Sequence, residues 1–335
     1  MPESQPETTA SGRSWLRFGG AFAGGFLVVL GVYLAVIILI DPYDTGYFPS
    51  LIGPGVVDDN DLTGTVGRGR DPRFNAGIFG NSHGLLLDPA RLSPATGLQF
   101  VQLTTLGSGP REQLALIRYF LRRHADVKAI VVAVDPMWCT HDPALPNNLV
   151  PPDYRFPDWL FGRSRLRYLA NMLSTRPLRL MRRRILLAMG RLAPIDPMGV
   201  AAYPAYWDFA HEPDAIRDPD LPLTWGQIST DFPAIDRLEA LTASLSPSVA
   251  VVVVMPPIYA GLLHGPDTYQ GAELAACKAR FAAALARGHR GAFLDFLVDS
   301  PLSRERANFF DLQHMREPVA RAIEPRIADA LNAAR

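Results

Sequence analysis

Apolar positions change their period several times along this chain, and the changes divide it. From Phe18 to Ile40 the sequence FGGAFAGGFLVVLGVYLAVIILI carries no charge, and the hydrocarbon layer of a bilayer takes ~20 such residues. Residues 41–72 mix Gly, Pro and Asp without a sustained period and read as a linker or a loosely packed approach to the domain. Beyond them, short apolar runs alternate with helical stripes. AGIF (76–79), LQFVQLTT (98–105), AIVVAVD (129–135), VAVVVVM (249–255) and AFLDF (292–296) read as strands. The third and fourth are β-branched and nearly continuous, as in strands buried on both faces of a parallel sheet. Helical stripes are marked by Leu114, Ile117 and Leu121 after Pro110, and by Ile235, Leu238, Leu241 and Leu245. Two more follow: Leu274, Cys277, Phe281 and Leu285, closed by Gly288, and then Val319, Ile323, Ile327 and Leu331. Strands alternating with helices predict an α/β domain, doubly wound and flavodoxin-like, with a mostly parallel sheet. In such sheets active groups gather at the carboxyl ends of the strands.

The apolar span is too long for a signal-peptide core and no small-x-small cleavage pattern closes it, so it reads as an uncleaved transmembrane helix over 18–40. Arg13 and Arg17 precede it, whereas Asp41 and Asp44 follow. The positive-inside rule then leaves residues 1–17 as a cytoplasmic tail and exports the rest. The expected product is a single-pass protein of the inner (cytoplasmic) membrane whose main domain, 73–335, is periplasmic or otherwise extracytoplasmic. Gly20 and Gly24 stand at a spacing that permits close helix pairing, and so a homodimer through the span.

The interval from about 139 to 230 breaks the alternation and reads as an insertion, placed where a lid over the site would grow. It holds Arg163, Arg165, Arg167, Arg176, Arg179, Arg182, Arg183 and Arg184. These form a solvated helix face, with anionic lipid headgroups or an acidic glycan as the alternative partners. Tyr203, Tyr206, Trp207 and Trp225 form a small core of the insertion, with stacking on sugar rings as the alternative.

Charge and composition exclude several classes. The 335 residues balance 33 Lys+Arg against 33 Asp+Glu, which gives nucleic acid no attraction as a partner. Cys139 and Cys277 are too few for a disulfide scaffold. They read as buried free thiols, with one bridge the alternative in an oxidising compartment. His124, His141, His211, His264 and His289 lack ligand spacing, so no metal is expected. Neither a Walker-type loop nor Gly-x-Gly-x-x-Gly after the first strand occurs, so no nucleotide cofactor is expected.

Chemistry concentrates at two places. The first strand ends in GNSHG, residues 80–84, which puts Ser82 at a carboxyl end. Near the C-terminus FFDLQHM places Asp311 and His314 two residues apart, so one turn can present both side chains together. A carboxylate beside an imidazole holds the tautomer that takes a proton from serine, and serine is a poor nucleophile without such a base. His83, next to the serine, reads as a pocket wall.

In this chain order the sequence resembles the SGNH (GDSL-like) hydrolase superfamily over roughly 75–330, including its membrane-anchored, envelope-facing branches. FGNSHG stands where that family carries its Gly-Asp-Ser block and DLQH matches its terminal Asp-x-x-His. The resemblance implies Ser82 as nucleophile, His314 as general base and then acid, and Asp311 as the group that orients it. It implies an oxyanion hole from the N–H groups of Ser82 and of a glycine in LTTLGSGP, Gly107 being preferred to Gly109. Two positions depart from the family: Asn81 replaces Asp before the serine, and the third block ends in Asp135 where the family has an Asn. An ionised Asp135 facing an oxyanion would repel it. The implied substrate is an ester or acylated carbohydrate, cleaved by hydrolysis or passed on by O-acyl transfer. The competing class is a non-catalytic binding or assembly component for envelope polysaccharide.

Overall fold

A computed structural model describes residues 9–55, 61–140, 142–147, 155–193, 195, 198–199, 231–287 and 290–335. Gly288, His141, His211, His289 and the aromatic residues Tyr203, Tyr206, Trp207 and Trp225 lie outside the described residues. The chain runs α1 (Thr9–Ile40), α2 (Asp61–Arg68), β1 (Ala76–Gly80), α3 (Pro89–Thr96), β2 (Phe100–Thr104), α4 (Pro110–Arg123) and β3 (Ala129–Ala133). It continues through α5 (Arg165–Ala170), α6 (Thr175–Ala188), α7 (Pro233–Ala243), β4 (Ala250–Met255), α8 (Tyr269–Arg287), β5 (Gly291–Asp295) and α9 (Glu317–Ala333), with single turns between some of them.

All five strands are parallel, in the order β2-β1-β3-β4-β5. Successive side chains of a strand point to opposite faces, and each face has its own apolar layer. Ile78, Phe100, Val131 and Val252 meet Leu92 of α3 and Val319, Ile323 and Ile327 of α9. Phe79, Val101, Val132 and Val253 meet Ile117 and Phe120 of α4, Leu238 of α7 and Phe281 of α8. The helical stripes legible in the sequence are the stripes that cover the sheet. Because every strand runs the same way, all five carboxyl ends lie along one edge, and both chemical motifs emerge there.

α1 is long and apolar enough to cross a membrane: Ser14–Ile40 spans 27 residues with a mean hydropathy of 2.7. Its last turns join the domain, with Ile37 fully buried in the same apolar layer as Phe79. The described residues after it, 41–55 and 61–72, correct the reading of that segment as a linker. Tyr43 and Tyr47 are buried and Val66 of α2 is fully so. Tyr47 Oη donates to the carbonyls of Leu160 (3.0 Å) and Gly162 (2.8 Å), and Tyr168 Oη donates to Asp41 Oδ1 at 3.1 Å.

Two further expectations are corrected. Arg184 belongs to no solvated face: its side chain is fully buried, 3.5 Å from Asp44 Oδ1, and donates to the carbonyls of Ile40, Ile52, Gly53 and Gly55. A guanidinium with five donors can satisfy several chain carbonyls at once, which is how a charge is tolerated there. Burial pushes the Asp44 carboxyl up, against Arg184 and Arg70, which draw it down. Second, Cys139 and Cys277 form a disulfide that ties the turn after β3 to α8. The two thiols, 138 residues apart, carried no local sign of that pairing.

Candidate active site

The turn after β1 lies directly on the end of β3. Gly80 has φ +154°, and a Cβ there would stand 2.7 Å from the Ala133 carbonyl oxygen. Gly84, one turn on, faces the Ala133 side chain with no room for a Cβ. Between them Asn81 Oδ1 accepts from the His83 N–H at 3.1 Å and caps the single 3-10 turn Ser82–Gly84. Ser82 therefore stands, half-buried, at the carboxyl edge of the sheet.

The partner loop closes on itself. Phe309 and Met315 form an antiparallel bridge, and Leu312 turns the chain with φ +68°. Asp311 Oδ1 accepts the N–H groups of Gln313 (3.1 Å) and His314 (2.8 Å). The Tyr259 N–H, just beyond β4, donates to the Leu312 carbonyl at 2.8 Å and fixes the loop to the sheet edge. His314 Nδ1 lies 2.8 Å from Asp311 Oδ2 and 2.9 Å from Oδ1, and its Nε2 lies 2.8 Å from Ser82 Oγ. With Nδ1–H donated to the carboxylate, Nε2 keeps its lone pair and accepts from the Ser82 hydroxyl. Groups 232 residues apart thus form one hydrogen-bonded line.

No family model, curated protein or solved structure matches the chain.

Burial lowers the pKa of His314 below the ordinary histidine value; Asp311 opposes that shift and nearby His83 adds to it. For Asp311, burial acts to raise the pKa, but the hydrogen bond and charge of His314 and the two backbone N–H groups hold it below the usual carboxylate range. The pair at neutral pH is a neutral imidazole on an ionised carboxylate, the state a general base requires.

The remaining predicted site residues fall into two groups. Asn81, His83 and Asp135 adjoin the triad: Asn81 Nδ2 donates to Asp135 Oδ2 at 2.6 Å, and His83 Nδ1 lies 3.3 Å from the same oxygen. Asp135 Oδ1 accepts the Met137 N–H at 3.0 Å, so both carboxylate oxygens are engaged within the protein. The His83 ring leans on His314, with centroids 4.8 Å apart. Gly107 and Gly109 part company. Gly107 turns with φ +63°, and among the described residues no protein atom accepts its N–H or that of Ser82. The Gly109 N–H, by contrast, donates to Glu112 Oε2 at 3.0 Å in the cap of α4. Gly109 is a helix cap and is removed from the candidate oxyanion donors.

Two supports had no sequence signal. Asn147 Nδ2 donates to the Gly107 carbonyl at 2.6 Å, from a loop whose sequence has no motif. Gln113 Nε2 holds the Ser108 carbonyl at 3.0 Å, and its own oxygen accepts from Trp138 Nε1 at 3.0 Å. Gly107, Ser108 and Asn147 also line a cavity of about 230 Å³ with Arg111 and Phe156. A larger one, about 540 Å³, lies beyond β4 and β5 between Tyr259, His264, Lys278 and Arg304. No triad side chain lines either of them; they flank the triad along the strand edge.

Two outcomes are expected. In a nitrogen-15 NMR titration of the full chain, His314 should titrate below the ordinary ~6.5 of histidine. Asp311→Asn should lower it further, because the carboxylate is what favours the imidazolium. Asn81→Asp sets a second carboxylate against buried Asp135 and should cost roughly 3 kcal/mol in denaturant unfolding. The double exchange Asn81→Asp/Asp135→Asn restores an amide–carboxylate pair and should recover most of that loss; equal damage from single and double exchange would contradict the pairing.

Proposed function

We propose that this chain is a membrane-anchored serine ester hydrolase or O-acyltransferase of the SGNH (GDSL-like) type, acting on an acylated envelope glycan or a related ester. The observation that carries the reading is the line Ser82 Oγ–His314 Nε2 at 2.8 Å and His314 Nδ1–Asp311 at 2.8 Å. Ser82 Oγ attacks the acyl carbonyl carbon while its proton passes to His314 Nε2, and Asp311 stabilises the imidazolium. The tetrahedral oxyanion is taken by the N–H groups of Ser82 and Gly107, each worth ~3 kcal/mol when aimed at the developing charge. His314 returns the proton to the departing alkoxide, leaving an acyl-serine. Water or a sugar hydroxyl then attacks that ester, again with His314 as base, and Ser82 regains its proton.

The two positions that depart from the family pattern meet in this chain: Asn81 Nδ2 donates to Asp135 Oδ2. The carboxylate that would repel an oxyanion is engaged by Asn81 and by the Met137 N–H. Location is supported by α1 and by the Cys139–Cys277 bridge, since disulfides persist in oxidising compartments. Export of the domain favours envelope esters over cytoplasmic metabolites.

The test is hydrolysis of an aryl acetate by the full chain in detergent, beside labelling with a fluorophosphonate. Ser82→Ala should abolish both, and His314→Ala should lower kcat/KM by ~10³ or more. Wild-type activity should fall as pH drops through the lowered His314 pKa, because protonation removes the base. Labelling that survives Ser82→Ala would remove the nucleophile. A folded wild type with neither activity nor labelling would favour the binding role.

A further inference from the structure

The described part of the insertion packs against the anchor. Tyr33 Oη, inside the apolar span, donates to the Met172 carbonyl at 2.5 Å in the corner between α5 and α6. Arg184, in the C-terminal half of α6, donates to the carbonyl of Ile40, the last residue of α1, at 3.2 Å. The uncharged stretch Phe18–Ile40 is ~35 Å long at ~1.5 Å per residue, against a hydrocarbon thickness of ~30 Å. The surplus of ~5 Å covers the last turn of α1, Ile37–Ile40, and Tyr33 lies just inside the boundary. α5 and α6 therefore run beside the stretch of α1 that leaves the hydrocarbon, at the level of the lipid headgroups.

Their surface has the chemistry of that level. Leu166 is 80% exposed, Leu173 62%, Leu178 49%, Ile185 39% and Met189 54%. Leu178, Ile185 and Met189 follow at intervals of seven and four residues, which makes one stripe along α6 and its C-terminus. Leu51, 80% exposed, hangs from the Leu39 carbonyl beside the same exit point. Arg163, Arg165, Arg167, Arg179 and Arg182 are exposed around these side chains. Between Gly162 and Ala193 the chain has nine arginines and no acidic residue. A merely solvated face would not carry an apolar stripe, whereas an interfacial helix needs both parts: apolar side chains entering the acyl boundary and cations meeting anionic headgroups.

We infer that α5 and α6 form a second membrane contact, an anionic-phospholipid-binding face with Leu173, Leu178, Ile185 and Met189 inserted and Arg179 and Arg182 among the headgroups. It rests on α1 spanning the bilayer. The anchor then holds the domain at a fixed height and orientation, with the arginine-rich face turned to the lipid and not to bulk water.

The test uses the full chain, its native disulfide intact, in nanodiscs of phosphatidylcholine alone or of an equal mixture with phosphatidylglycerol. A fluorophore on Phe26→Cys reports the anchor, and one on Leu178→Cys or Ile185→Cys reports the proposed face. Shielding from an aqueous quencher is expected at 26 in both lipids. At 178 and 185 it should be greater in the anionic lipid, and Arg179→Glu/Arg182→Glu should abolish that increment while leaving 26 unchanged. Shielding at 26 with open access at 178 and 185 in both lipids would overturn the inference and leave the anchor standing. Open access at 26 would overturn both. Shielding of 178 in detergent by a soluble acidic polysaccharide, with none by the anionic bilayer, would assign the arginines to a glycan and also overturn it.

Discussion

The site depends on a clamp between two helices from opposite ends of the chain. α3 follows Ser82 and α9 follows His314, and both lie on the same face of the sheet over Ile78 and Val131. Glu324 of α9 is 4% exposed and accepts from the Asp88 N–H and from Arg91 Nη2, each at 2.8 Å. The Arg91 guanidinium also donates to Glu317 Oε1 at 3.1 Å. A forked arginine on a buried carboxylate fixes orientation as well as distance. Parallel strands bring the two loops to one edge, and the clamp sets the spacing that a hydroxyl–imidazole hydrogen bond requires.

Around this contact the chain spends its least tolerant residues on close approach. Gly80 and Gly84 let the Ser82 turn rest on Ala133, and the Asn81–Asp135 pair locks that turn to the strand beside it. The His83 ring covers one side of His314. On the opposite flank, Gly107 is held by Asn147 while Gly109 serves α4. The result is an imidazole whose pKa burial lowers and a hydroxyl that remains half-exposed at the strand edge.

Much of this was legible because it is local. A β-branched run such as 129–135 and a stripe such as Val319, Ile323, Ile327 and Leu331 report their burial through spacing alone. The Ser82–His314–Asp311 hydrogen-bonded line was legible through chain order: a serine ending the first strand and Asp-x-x-His after the last. What escaped is pairwise and long-range. Nothing in the composition of 41–72 announces that Tyr47 will donate to carbonyls more than a hundred residues away, or that Asp44 will meet Arg184. Arg184 looks like its neighbours Arg182 and Arg183 in the sequence; only its place under the last turn of α1 distinguishes it. The disulfide, and the reciprocal roles of Asn81 and Asp135, are of the same kind.

Joint action of Ser82, His314 and Asp311 on an acyl carbonyl is decided by a crystal structure of the full chain after reaction with a fluorophosphonate, whose phosphorus mimics the tetrahedral centre. A phosphorus–oxygen bond to Ser82 Oγ is expected, with the phosphonyl oxygen ~3 Å from the N–H groups of Ser82 and Gly107. Phosphorus on any other residue, or a phosphonyl oxygen turned toward the Asp135 carboxylate, would contradict it.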